Sequence, residues 1–518
     1  MDTINIIGAG LAGLMAAINL AKHNIKSNLI SNMPSERAQS VLAEGGINAC
    51  LNLMGEDDKI EYHAADTKRG GCNIESDESI NNLVNIAPRI IDYLIKIGVP
   101  FQKENGKLIE RNFGGQSKKR TAYAKSSTGK IIMTALIDEA RKYEALGLIK
   151  RYSHHECIDV LVSDKRIDGI IINDTFNRKT FKLAGVTILA IGGLNGFFEG
   201  HITGSIMNNG NLQANLFKKG VEFRNLEFIQ YHPTTIDIGF KRLLVSEAAR
   251  GEGARLFIYK DNKQYYFMDD IHPLKSLAPR DVISRSEYLI SKKYNTDIYL
   301  DFSNVKKEVW ENKLPDLRQE IINYTNLDPK TNHIKVSPGI HYFMGGIKVN
   351  KNHKTNITGL YAIGECASIY HGANRLGGNS MLGAITGGII SSNDIINSNL
   401  NIKNELEEVS YVEQTYNPKY LKLLTAILID SLSIVRDETN LIKGIKKIDE
   451  IILSNNLNEF ELNRFLLAKA MILSAVERKE SRGAHYRLDY KEENDKFKKI
   501  SVSKYINNEI KISFEEDI

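Results

Sequence analysis

The chain has 518 residues, enough for two or three domains with substantial cores, and its 68 Lys and Arg nearly balance its 63 Asp and Glu. The basic clusters are short, such as "KFKK" near the C-terminus, which excludes nucleic acid as a main partner because tracking phosphates takes an extended basic face. No apolar run approaches the roughly 18 residues of a membrane span, and Cys50, Cys72, Cys157 and Cys366, scattered and without CxxC spacing, exclude a disulfide framework, a zinc or iron–sulfur site and an attached haem. The N-terminus "MDTINIIGAG" enters an apolar strand with no room for a leader, so a cytoplasmic protein is expected.

The first thirty or so residues read as a βαβ unit: "INII" as a strand, "LMAAINLAKHN" as a helix with an apolar face, "KSNLIS" as a second strand. Between strand and helix, Gly8, Gly10 and Gly13 complete a GxGxxG turn. The first glycine serves the tight turn, the second lets a pyrophosphate approach the backbone, and the third lets the helix pack on the strand. The helix N-terminus then meets the phosphate charge. At the end of the second strand, where an acidic residue usually binds the adenosine ribose, stand Ser31 and Asn32. That argues against an ordinary NAD site, although hydroxyl and amide groups can still bond a ribose.

Two later strands favour FAD. "GVTILAIGG" (185–193) ends in a glycine pair, and "ITGLYAIGECAS" (357–368) delivers Glu365 at its C-terminal edge, a position suited to sugar or ribityl hydroxyls. Next comes "HGANRLGGNSM", in which Arg375 has no acidic neighbour and so waits for an anion, either a nucleotide phosphate or a substrate carboxylate. "MLGAITGGIISSNDII" reads as a helix whose N-terminus would stabilise the negative charge of reduced flavin. The pattern predicts an FAD-binding domain in two parts, 1–225 and 340–402, around an insert at 226–339 with mixed strand and helix signals. Residues 403–518 read as mainly helical, with apolar residues spaced at three and four in "YLKLLTAILIDSLSIV" and "LNRFLLAKAMILSAVERKE".

The residues suited to chemistry cluster in and around the insert: His232 in "FIQYHPTT", Ser246, Glu247 and Arg250 in "LLVSEAARGEGARL", Arg280 in "LAPRDVISR", and His341 in "SPGIHYFMGGI". Taken singly they have plainer readings: hydrogen-bonded structural histidines, a local Arg280–Asp281 ion pair, and a helical i,i+3 pair of Glu247 with Arg250.

Taken in order, "GAGLAG", "AEGG", "FGGQSKKRTAYA", "QYHPT", "RGEGA", "PRD", "HYFMGGI", "GECAS", "HGANRLGGNS" and "RKESRGAHYRLDY" resemble the flavoprotein subunit of fumarate reductase and succinate dehydrogenase, with L-aspartate oxidase as sister family. The resemblance covers nearly the whole chain. It implies an α/β fold class: a Rossmann-like FAD-binding domain with an inserted α+β capping domain and a C-terminal helical domain. It implies FAD contacts at Ala43, Glu44, Gly45, Gly46, Asn209, Glu365, Ser380 and Leu382. It gives one substrate carboxylate to Arg375 and the other to His232, Ser246 and His341. Arg280 becomes the proton donor to carbon, resupplied through Glu247 and Arg250.

Phe113 stands where L-aspartate oxidases carry a glutamate that can meet the substrate ammonium, and an apolar ring suits fumarate or succinate instead. Gln39 stands where the membrane-complex enzymes attach flavin to a histidine, so non-covalent FAD is expected. In the family, loss of that bond lowers the flavin potential and favours fumarate reduction. "MNNG" (Met207–Gly210) departs from the family's "TGDG". The expected activity is interconversion of fumarate and succinate, in the reductive direction; L-aspartate oxidation and a non-catalytic flavoprotein subunit are the alternatives. With no cluster or haem of its own, the chain is expected to take electrons from an iron–sulfur subunit, through which it would associate with a membrane, or from a soluble donor.

Overall fold

The structure, a computed structural model, describes residues 3–125, 127–398, 406–454 and 456–517. Its centre is a parallel sheet. Thr3–Ile7 runs between Lys26–Ser31 and Thr187–Leu189, with Ile149–Ser153 and Leu360–Ala362 at the two edges. Ile4, Ile6 and Ile7 are all buried, as expected of a strand covered on both faces, whose sequence runs apolar instead of alternating. Helix Leu11–Lys22 covers the sheet and packs on helix Asn379–Ile396.

The turn between the first strand and helix is tight enough to demand glycine. Gly8 has φ +109°, and a Cβ there would meet the Ala190 carbonyl oxygen at 2.1 Å; a Cβ on Gly13 would meet the Gly8 oxygen at 1.9 Å. Strand, loop and helix N-terminus are thereby drawn together at the carboxyl edge of the sheet, where ligands of open α/β sheets bind.

The insert is built on a six-stranded sheet ordered Arg242–Leu244, Ile229–Asp237, Ile334–Phe343, Ile298–Asp301, Arg255–Lys260, Lys263–Tyr265. Leu256, Ile283, Leu300, Leu317 and Ile321 share its separate core. The chain enters and leaves through the antiparallel pair Ile229–Asp237 and Ile334–Phe343. Their pairing steps from Gln230 opposite Tyr342 to Tyr231 opposite Ile340, so His341 is the extra residue of a β-bulge. A bulge re-aims a side chain out of the regular alternation, and here it turns a histidine.

After the second part of the FAD-binding domain come helices Pro418–Ser431, Glu438–Ser454 and Glu459–Glu477, the last started by a capping box of Asn458 and Glu461. The expected boundary at 402/403 lies outside the described residues. The tail corrects the reading of 403–518 as mainly helical. Ile500–Ile506 and Glu509–Glu515 form a hairpin that pairs with Phe223–Arg224. Its two-residue turn, Asn507-Asn508, has φ +52° and +64°, a left-handed geometry that asparagine tolerates and that matches strand twist. Among the described residues, no helix is long and apolar enough to cross a membrane, and no group of His, Cys, Asp and Glu is arranged to hold a metal ion.

Candidate active site

A cavity of about 940 Å³ runs from Gly8 and Gly10, past Ser31, Gln39 and Glu365, to Phe113, His232, Arg280, His341 and Arg375. Its two ends differ in chemistry. At the first end, helix Leu11–Lys22 opens with Gly10 as N-cap and no side-chain cap bond; the Leu11 N–H donates to Ser40 Oγ (3.3 Å), and the next first-turn N–H groups remain to meet an anion. Ala43–Gly46 and Ser380, in the first turn of helix Asn379–Ile396, line the middle. Glu365, at the end of the edge strand, accepts from the Phe343 N–H (3.1 Å) and from the Gln39 amide (3.0 Å). Burial pushes its carboxyl up to about 7. Glu44 keeps one buried carboxylate oxygen without a partner, and burial holds its pKa well above the usual range. A glycine cradle, an open helix N-terminus, an acceptor at the strand edge and an orphaned carboxyl fit the pyrophosphate, ribityl chain and ring of FAD.

The second end is cationic. Val245 N–H donates to the Thr234 carbonyl (2.9 Å) and the Thr234 hydroxyl to the Val245 carbonyl (2.8 Å). This double bond brings Ser246, N-cap of the short helix Glu247–Gly251, beside the strand that carries His232. The bulge at His341 sets its ring 5.1 Å from that of His232. His232 Nδ1 faces the Thr234 carbonyl (3.2 Å) and His341 Nδ1 the Thr203 hydroxyl (2.8 Å), which leaves both Nε2 atoms for the cavity.

Arg280 follows Pro279 as the first residue of helix Arg280–Tyr294. Its Nε donates to Glu247 Oε2 (2.8 Å), its Nη2 lies in ion-pair contact with the same oxygen (2.7 Å), and its Nη1 donates to Gln230 Oε1 (3.0 Å). Glu247 Oε1 takes the Gly114 N–H at 2.8 Å, joining the insert to the Phe113 loop. Arg375 lies opposite, buried, with its guanidinium 4.5 Å from the Tyr342 ring centre and its Nε without a partner. Among the described residues no carboxylate lies within ion-pair distance of it.

The charges follow from this packing. Burial, then Arg280 and its neighbours, hold both His232 and His341 well below the usual imidazole range, so the two rings are neutral in the ligand-free site. Burial and Arg280 push Arg375 down to about 9, which still leaves it charged near neutrality. Burial alone would raise Glu247, yet Arg280 and Arg250 hold its carboxyl below the ordinary value. The site is therefore a buried pocket with two guanidinium groups, two neutral imidazoles and, among the described residues, no carboxylate within ion-pair distance of Arg375. Such a pocket suits an anionic ligand.

Comparisons with known proteins identify the family. The FAD binding domain model matches residues 3–381, and the fumarate reductase flavoprotein C-terminal model matches 454–517. The chain belongs to the fumarate reductase and succinate dehydrogenase flavoprotein family. It is 33% identical to the succinate dehydrogenase flavoprotein subunit of Bacillus subtilis over 98% of this chain and 94% of that protein. It is 31% identical to the fumarate reductase flavoprotein subunit of Haemophilus influenzae over 96% of this chain and 91% of that one. L-aspartate oxidase 2 of Ralstonia nicotianae is 32% identical over 94% of this chain and 90% of its own length. Among solved structures, FrdA of E. coli quinol fumarate reductase, in a mutant form, superposes with a TM-score of 0.88 at 27% identity, covering 100% of this chain and 98% of that one. The protein is an FAD-dependent oxidoreductase of this family, with its α/β FAD-binding fold.

Within this family fold, the predicted residues divide. Phe113, His232, Ser246, Glu247, Arg280, His341 and Arg375 meet at one end of the cavity, and Gly8, Gly10, Ser31, Ala43, Glu44, Gly45, Gly46, Asn209, Glu365 and Ser380 line the rest. Gly13 and Leu382 lie outside the lining, Gly13 packed on the Gly8 backbone and Leu382 with its side chain in the core. Arg250 also lies behind the wall, with Nη1 on the Ser276 carbonyl (2.7 Å) and its other guanidinium nitrogens Nε and Nη2 unpaired. Asn209 spends its amide on Glu156 (2.9 Å), and the Ser31 hydroxyl donates to the Met33 carbonyl (2.7 Å).

The plain reading of Arg280 with Asp281 as an ion pair gives way to the Glu247 pair, because Asp281 faces the Asn374 amide at 2.8 Å instead. Two buried groups in the cluster went unremarked in the sequence: Gln230 and Tyr342. A signal existed for both, since Gln230 is two residues before His232 and Tyr342 directly follows His341.

Proposed function

We propose that the protein reduces fumarate to succinate, gripping the diacid at both ends of the cationic pocket. The single observation that carries this reading is Arg375, a buried guanidinium with no carboxylate partner among the described residues, lining the same cavity as His232, His341 and Ser246. Arg375 holds one carboxylate through its planar fork. His232, His341 and Ser246 hold the other: the Ser246 hydroxyl and His341 donate to it, and His232, whose neutral ring carries its proton on the Nδ1 that faces the Thr234 carbonyl, donates from Nε2 once it takes up a proton with the dianion. FAD, when bound along the cavity, supplies the hydride and the electron path.

Charge develops at the carbon next to the second carboxylate as fumarate is reduced. The flanking cations draw it off, and the buried, preorganised setting strengthens that effect. Arg280 gives a proton to this carbon, which completes succinate. A guanidinium is a weak acid, with an ordinary pKa of about 12.5 or higher, and it serves here because a developing carbanion is a far stronger base. Arg280 regains its proton through Glu247, whose carboxylate already holds two of its nitrogens, and Arg250 stands behind Glu247 as the next donor.

The buried ring of Phe113 lines the cavity and offers no counter-charge to an ammonium, which favours fumarate over L-aspartate. Gln39 supports non-covalent FAD and the reductive direction. Its carboxamide is bound to Glu365, Asn208 and the Ser205 N–H, and an amide forms no bond to the flavin. Electrons reach the FAD from an iron–sulfur subunit or a soluble donor; the relatives from B. subtilis and H. influenzae are themselves named as subunits. The yellow protein should oxidise reduced viologen when fumarate is added. Inertness with FAD bound, or formation of iminoaspartate from L-aspartate, would overturn the proposal.

A further inference from the structure

Arg280 and Arg375 stand on different parts of the fold. Arg280 starts a helix of the insert, and Arg375 lies in the loop before helix Asn379–Ile396 of the FAD-binding domain. No bond joins the two guanidinium groups, and as like charges they repel: Arg280 is, after burial, the largest influence lowering Arg375. A diacid of fixed length nevertheless needs them at a fixed separation, so something else must hold it.

Gln230 is placed to do so. It is 1% exposed, on the strand that carries His232. Its Oε1 accepts from Arg280 Nη1 (3.0 Å), and its Nε2 donates both to the Arg375 carbonyl (2.9 Å) and to Asn374 Oδ1 (2.7 Å). Asn374 in turn donates to Asp281 Oδ1 at 2.8 Å, next in the chain to Arg280, so the bonds close into a ring. The amide has one workable orientation. Turned over, it would set N–H against the Arg280 donor and oxygen against two acceptors. Glutamate would keep the bond to Arg280 and lose both donors; an apolar side chain would lose all three contacts.

We infer that Gln230 is a positioning residue that fixes the spacing of the two arginines and thereby selects diacids by chain length. The inference rests on the diacid reading above and adds the group that sets its length preference. Loss of an ordinary structural bond would lower stability or weaken all diacids alike. Loss of a spacer changes their ratio.

The test uses the FAD-loaded protein and follows flavin absorbance during titration with malonate, succinate and glutarate, diacids that differ by one methylene. The wild-type protein should favour succinate. Gln230→Met should cut the succinate-to-malonate affinity ratio by about tenfold, with FAD content unchanged. Asn374→Ala, which leaves Gln230 in place but unsupported, should shift the ratio the same way by less, and it decides the matter if Gln230→Met does not fold. A ratio held within about twofold in a folded variant overturns the role of Gln230. Failure of the wild-type protein to bind any diacid overturns the underlying reading of the pocket, and the spacer with it.

Discussion

Arg375→Met separates function from stability. In the ligand-free protein this guanidinium is 3% exposed, its Nε is unpaired, and no carboxylate among the described residues compensates it. A buried cation without a partner is unfavourable, and its downward pKa shift to about 9 expresses the same cost. Methionine has similar reach and suits the face of Tyr342, so the variant should unfold at the same temperature as the wild type or a higher one. Binding should behave oppositely. Removing one member of a buried, hydrogen-bonded charge pair costs about 2–5 kcal/mol, so the succinate dissociation constant should rise at least thirtyfold, and roughly a hundredfold at about 3 kcal/mol. Thermal unfolding with and without succinate reads both at once. At succinate near 100 times the wild-type dissociation constant, ligand stabilisation is about 2.7 kcal/mol, and in the variant it should nearly vanish. A variant that is strongly destabilised without ligand, or that binds succinate as the wild type does, would show Arg375 to be a structural residue and refute the reasoning.

Arg280→Lys keeps the charge but loses the fork that holds Glu247 and Gln230 together, so turnover should fall by roughly a thousandfold while FAD stays bound; retained turnover with an intact absorption spectrum would remove Arg280 from the proton path. Diacid binding should depend on pH at both limits. His232 and His341 are held below the ordinary imidazole value in the empty site, and a bound dianion raises them. Protons are therefore taken up on binding, and affinity should strengthen as pH falls through the bound-state values, until protonation of the diacid's own carboxyls removes the dianion. On the alkaline side the empty site loses its Arg375 charge above about 9, and affinity should fall there; a flat profile would contradict both assignments. Acid precipitation should release yellow FAD into the supernatant, and colour kept in the pellet would contradict the reading of Gln39.

Local features were readable in the sequence, and assembled ones were not. The glycine turn was readable because its spacing is short and each glycine answers a local demand: the Gly8 φ, and the Gly13 contact with the Gly8 backbone. That Arg375 lacks a neighbouring carboxylate was readable because its flanking residues carry no acid. The partners of Arg280 were not, since Glu247 is 33 residues away and Gln230 is 50. The adjacent Asp281 was the tempting choice, but the first turn of the helix points the two side chains in different directions. The bulge at His341 leaves no mark in "GIHYF", because it is a property of the pairing of two strands and not of either one. The tail hairpin did leave a mark, the alternation of "ISVSKYI" and the Asn-Asn turn, which the strong helical periodicity just before it overshadowed.

The placement of Glu247 gives the pocket a logic that neither half of the fold has alone. One of its oxygens holds the Arg280 guanidinium, and the other takes the N–H of Gly114, which belongs to the FAD-binding domain and follows the Phe113 ring. The carboxylate that orients Arg280 is thus also one of the groups that tie the insert to the rest of the protein, beside the Gln230 and Asp281 bonds to the Arg375 loop. If the insert swings away, Arg280 loses its alignment with Arg375 and the Gly114 bond is broken in the same motion. On the proposed mechanism, proton donation from Arg280 should therefore require this contact to be made, and Glu247→Gln, which weakens it, should lower turnover more than diacid binding.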